Sequence, residues 1–155
     1  MHSCENSRQH YIFHKTFYKK FIPYLSLIST KLFLEAVSLT GKEILTQAAK
    51  VLDSRKAEDV MAIDIEGISI IADFFLLASG GSNTQVRALA DELELKLSQA
   101  GVQPLRIEGA QTATWIIIDY GSVVIHIFHR ETRKFYNLER LWADGKLFEL
   151  PELLG

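Results

Sequence analysis

The chain has 155 residues, 48% of them hydrophobic and 23% charged, which suits one globular domain with a core of its own. A single cysteine, Cys4, excludes an internal disulfide and any cysteine cluster for zinc, in keeping with a reducing compartment. The formal charge of −2 divides unevenly: residues 1–34 carry five Lys/Arg against one Glu, which leaves −6 for residues 35–155, so the body is acidic, suits a basic protein partner and is ill matched to nucleic-acid phosphates.

Residues 1–34 are basic and aromatic, and the longest uncharged run there, FIPYLSLIST, is too short to span a bilayer. This stretch reads as a disordered or loosely attached leader; its acid-poor content also allows an organellar presequence. Beyond it, Thr40 and Glu43 are spaced as a capping box, and Ile44, Leu45, Ala48, Ala49 and Leu52 recur at helical intervals. Residues 59–65 (DVMAIDI) and 73–79 (DFFLLAS) read as strands, the second almost wholly apolar and therefore central, with Gly67 in the connection. Ser82 and Gln85 are spaced as a second capping box opening a helix whose stripe is Val86, Leu89, Ala90, Leu93, Leu97 and Ala100, and Gly101 sits at its C′ position.

A short strand is expected over residues 104–108, then a hairpin from Trp115 to Phe128, then a helical segment in which Asn137 caps a turn holding Leu138, Leu141 and Trp142. Residues 143–155 form a C-terminal tail, either packed on the body or loose. The order α-β-β-α-β-β-β-α predicts a mixed α/β (α+β) layer fold with a sheet of about five strands. The segment joining the 73–79 strand to the 104–108 strand is long enough for a parallel crossover.

The hairpin sets a register. With Gly121-Ser122 as the loop, Trp115 pairs with Phe128, Ile117 with His126 and Asp119 with Val124. Alternation then puts Ile116, Ile118, Val123, Ile125 and Ile127 on a core face, with Tyr120 and His129 at its ends. The other face carries Trp115, Ile117, Asp119, Val124, His126 and Phe128, a polar and aromatic mixture expected to be an exposed docking surface.

Enzymatic readings find little purchase. His126 and His129 are three apart on a strand, so they point to opposite faces and share no ion. The GGSN turn at Gly80–Asn83 resembles a phosphate-binding turn, but nucleotidyl transfer needs two metal-binding carboxylates on a following strand, and only Glu108 is there. Asp64 and Glu66 read as a solvated strand end, and neither Ser79 nor Ser82 lies in a nucleophile-elbow motif that would recruit His126 and Asp119.

The runs ADFFLLASGGSNTQVRALADELELKLSQAG, PLRIEG and WIIIDYGSVVIHIFHRETRKFYNLERLW resemble the ribosomal silencing factor family, also called Iojap. The resemblance implies a non-enzymatic domain over residues 35–142, related to the nucleotidyltransferase fold and needing no cofactor or metal. It implies binding to the large ribosomal subunit through its ribosomal protein numbered fourteen, obstruction of small-subunit joining, and repression of translation when nutrients are scarce. Organellar relatives instead assist large-subunit assembly, and a homodimer is compatible with the family. Carried over, the binding residues are Trp115, Asp119, Tyr120, His126 and Phe128. No membrane and no sequence-specific nucleic acid is implied, and the expected location is the bacterial cytoplasm, with an organelle as the alternative because the leader has no family counterpart. HRETRKFY departs from the proline or glutamate more usual at that point.

Overall fold

A computed structural model of the protein describes residues 39–155; the leader expected over residues 1–34 lies outside the described residues. Helix α1 (Gly41–Ser54) begins where the Thr40 hydroxyl accepts the Glu43 N–H and the Glu43 carboxylate accepts the Thr40 N–H at 2.7 Å, so the first capping box is complete. Strands β1 (Glu58–Asp64) and β2 (Phe74–Gly80) follow, within a residue of expectation, and lead to α2 (Asn83–Gln99). Ser82 caps α2 by accepting the Gln85 N–H, but the Gln85 side chain accepts the N–H of Gly81 at 2.8 Å rather than that of Ser82. Gly101, at φ +86°, ends the helix in the left-handed conformation that glycine adopts without steric cost.

The remaining elements are β3 (Arg106–Glu108), β4 (Trp115–Asp119), β5 (Val123–His129), α3 (Arg130–Tyr136), α4 (Leu138–Leu141), β6 (Lys146–Glu149) and α5 (Leu150–Leu154). They complete a mixed sheet of six strands, not about five, in the order β3-β4-β5-β2-β1-β6. The extra strand comes from the segment set apart as a tail: β6 runs antiparallel to β1, and Leu153 of α5 is buried in the core. Asn137 joins α3 to α4 at φ +44° and accepts the Arg140 N–H, as its capping role required.

The parallel crossover expected from β2 through α2 to β3 is present, but it skips two strands. β3 runs in the same sense as β2, but β4 and β5 lie between them, and the parallel neighbour of β2 is β5. Burial explains the arrangement, because β2 is buried along its whole length and β5 nearly so, whereas three-residue β3 exposes both ends and fits an edge.

Alternate residues divide the core in two. On one face Leu76, Ile116, Ile118, Ile125 and Ile127 meet the apolar stripes of α1 and α2. On the other, Ile63, Phe75, Leu77, Val124 and Phe128 meet Leu138 and Trp142 from the much shorter α3–α4 segment. The first face is roofed by long helices; the second is only partly covered.

Candidate partner-binding face

The β4–β5 hairpin adopts the predicted register, with Trp115 opposite Phe128, Ile117 opposite His126 and Asp119 opposite Val124. Tyr120 N–H donates to the Val123 carbonyl at 2.9 Å, and Gly121 turns the chain at φ +82°. Asp119 Oδ1 accepts the Gly121 N–H at 2.8 Å, so one carboxylate oxygen stabilises the turn.

Exposure corrects the expectation of an open docking surface. Phe128 is 0% exposed and His126 only 6%: Phe75 of the adjacent strand β2 meets the imidazole at 4.9 Å, and Leu138 and Trp142 pack against the same cluster. Tyr120 is buried on the opposite, helix-covered face, where burial pushes its hydroxyl up to about 12, with Glu94 adding to the shift. Trp115, Ile117 and Asp119 remain half-exposed. His129 is on the helix-covered side and caps α3 by accepting the Glu131 N–H, so the two histidines are on opposite faces as predicted.

Trp115 is held from several sides. Its ring stacks on Phe128 at 4.8 Å and meets Tyr136 at the same distance, and its Nε1–H donates to His126 Nδ1 at 3.3 Å. That donation places the proton of a neutral imidazole on Nε2, which is buried without a hydrogen-bond partner among the described residues. Burial pushes His126 down to about 4, so the ring is neutral at physiological pH.

Beside this cluster lies a groove of about 240 Å³ walled by Ile71, Phe75, Ile117, Asp119 and His126, with Arg106 and Glu108 of the edge strand at its side. Arg106 and Glu108 pair at 3.2 Å. Ile71, Phe75 and Tyr136 were not singled out from the sequence; the signal available for Ile71 was GISIIAD, an apolar stretch inside a turn segment.

At the glycine turn, side chains of the protein itself occupy donors that a phosphate would use. Gly81 N–H is taken by Gln85, and the nearby Glu58 carboxylate accepts Arg130 Nε at 2.8 Å, which holds Glu58 below the usual carboxylate range. No group of three or more His, Cys, Asp or Glu positioned for a metal occurs among the described residues. Asp64 Oδ1 instead accepts the Glu66 N–H. Arg133, buried in a neighbouring cleft, donates to Glu139 at 2.7 Å, the Asp59 carbonyl at 2.6 Å and Ser79 Oγ at 3.0 Å, fastening α3 to the irregular start of the β1–β2 pairing.

The family model described as ribosomal silencing factor during starvation matches residues 38–154. The chain belongs to the ribosomal silencing factor family. It is 45% identical over 112 residues to the ribosomal silencing factor of Bacillus subtilis strain 168, covering 72% of this chain and 95% of that protein. Among solved structures, one from Bacillus halodurans is 42% identical, with a TM-score of 0.62 and coverage of 70% and 98% of the two chains. Another, from Chromobacterium violaceum, is 32% identical with a TM-score of 0.66, covering 68% and 88%. This silencing factor is thus of the Iojap type, a family of non-catalytic regulators. The relatives it matches include bacterial silencing factors and also Iojap proteins named mitochondrial and chloroplastic. No helix among the described residues is long and apolar enough to cross a membrane.

Proposed function

We propose that this silencing factor binds the large ribosomal subunit through its ribosomal protein numbered fourteen, obstructs small-subunit joining, and so represses translation when nutrients are scarce. The observation that carries this reading is the half-covered aromatic face, where Trp115, Ile117 and Asp119 stay accessible on an otherwise buried hairpin. Trp115 supplies a rigid anchor of the kind enriched among interface hot spots. Asp119 Oδ2 has no partner among the described residues and suits a cation on a basic protein. His126 and Phe128 act by holding the indole in place, and Tyr120 supports the hairpin from behind. Kinship with the nucleotidyltransferase fold belongs to the same proposal, supported by a mixed sheet in which β2 runs through a Gly-Ser turn into α2.

Sucrose-gradient sedimentation of lysate containing the tagged protein tests the mechanism. The factor is expected with free large subunits and scarce on joined ribosomes. Equal occupancy of joined ribosomes would overturn occlusion.

A further inference from the structure

The connection from β1 to β2 exposes more aliphatic surface than a solvent loop requires. Ile70 is 105% exposed, Ile71 60% and Ile68 49%, three isoleucines within four residues. Isolated apolar residues on a surface are ordinary, but a contiguous group of this kind marks a contact. The loop is also built rather than frayed. Ile65 N–H donates to the Asp73 carbonyl at 2.8 Å across its base, Ile65 and Ala72 are buried, and Ile71 N–H donates to Ser69 Oγ. Its isoleucines are therefore held outward by a closed framework.

Two further observations say what meets them. Ile71 is a wall of the same groove as Ile117 and Asp119, so the isoleucine tip continues the half-covered face without a break. Residues 64–73 carry Asp64, Glu66 and Asp73 and no lysine or arginine. Carboxylates around an aliphatic tip repel nucleic-acid phosphates and attract a basic protein surface.

We propose that the Ile68–Ile71 loop is the second half of the large-subunit contact, its isoleucines meeting an aliphatic patch on a basic ribosomal protein while Glu66 faces the surrounding cations. The proposal rests on the large-subunit reading above and adds to it a surface lying outside the hairpin. Hydrophobic contact at the tip sets the lifetime of the complex, and the carboxylates set its rate of formation and its sensitivity to salt.

The test measures binding of the full chain to purified large subunits, with Trp115→Ala as a control in the groove. Ile70→Asp is expected to weaken binding about tenfold or more without lowering the melting temperature, whereas Ile70→Leu stays within about twofold of the wild type. Glu66→Lys is expected to weaken binding about threefold at low salt and to flatten its salt dependence. If Trp115→Ala loses affinity while Ile70→Asp binds normally, the loop proposal falls and the large-subunit reading stands. If the wild type does not bind large subunits, both fall. Tighter binding by Glu66→Lys would reveal a ribosomal RNA contact and overturn the protein partner. Sedimentation velocity of the same variants decides the remaining occupant: loss of self-association by Ile70→Asp, with subunit binding unchanged, would make the loop a contact between copies and overturn the proposal.

Discussion

The two faces of the sheet are built from alternate residues of the same strands, yet they meet different cover. Ile116, Ile118, Ile125 and Ile127 face α1 and α2, whose 14 and 17 residues span the sheet. Trp115, Ile117, His126 and Phe128 face α3 and α4, of 7 and 4 residues, which cover one end and leave a groove at the other. Strand parity assigns a side chain to a face; the length of the element above that face decides whether it becomes core or contact surface.

Large-to-small substitutions test that contrast most strongly. Phe128→Ala is expected to cost roughly 3–5 kcal/mol and Ile118→Ala roughly 2–5 kcal/mol in chemical denaturation, since both side chains are 0% exposed although they point to opposite faces. A near-neutral Phe128→Ala would mean that the aromatic face is open along its whole length and that the sheet has one sealed face, not one and a half.

A pH series sharpens the same comparison from within the aromatic face. His126 is held near 4 against a usual value of 6.5, so between those values the unfolded chain carries a proton that the native chain refuses. The histidine's contribution is therefore complete above pH 6.5 and declines as the pH falls toward 4, by about 3 kcal/mol in all. Comparing wild type with His126→Phe by urea unfolding across that range isolates the effect: the variant should lack this component of the slope. Glu43, Glu58 and Glu92, held low by hydrogen bonds from Thr40, Arg130 and Arg55, lose their stabilisation as the pH falls through and below the ordinary carboxylate value of 4.5, overlapping only the lower end of the histidine's range. Equal slopes for the two proteins would show that the imidazole is solvated.

Trp115→Ala probes the boundary between core and contact. It should weaken large-subunit binding by about 2 kcal/mol or more, measured on the folded protein, while costing less stability than Phe128→Ala because the indole is half-exposed. Unimpaired binding by a folded Trp115→Ala protein would remove the hairpin from the interface. The smallest effect is expected away from both faces: Ser82→Ala removes the N-cap of α2 and should cost roughly 0.5–2 kcal/mol in thermal unfolding with binding intact.

Legibility followed the range of the interaction. The capping residues Thr40, Ser82 and Asn137, the helix stripes and the β4–β5 register depend on neighbours within a few positions or across one turn, and they appear as read. Burial of His126 and Phe128 depends on Phe75 and Leu138, which are far away or on another element, and hairpin parity carries no information about them. The groove had the same limitation, since Ile71 and Arg106 approach Ile117 only once β2 and β5 are paired in parallel and β4 separates β5 from β3. In residues 143–155, LFELPELL suits an edge strand and short helix as well as an amphipathic tail; the free edge of β1 and the core site for Leu153 select the first.

By itself, then, the sequence determined the local elements, the hairpin pairing and, through its motifs, the silencing-factor family. Which half of the aromatic face is sealed, where β3 and β6 dock, and that the Ile68–Ile71 loop adjoins the groove were decided only by tertiary structure. The physical reason is that hydrogen-bonded turns, caps and periodicities are set by short-range geometry, whereas exposure is set by whatever distant segment arrives to exclude water.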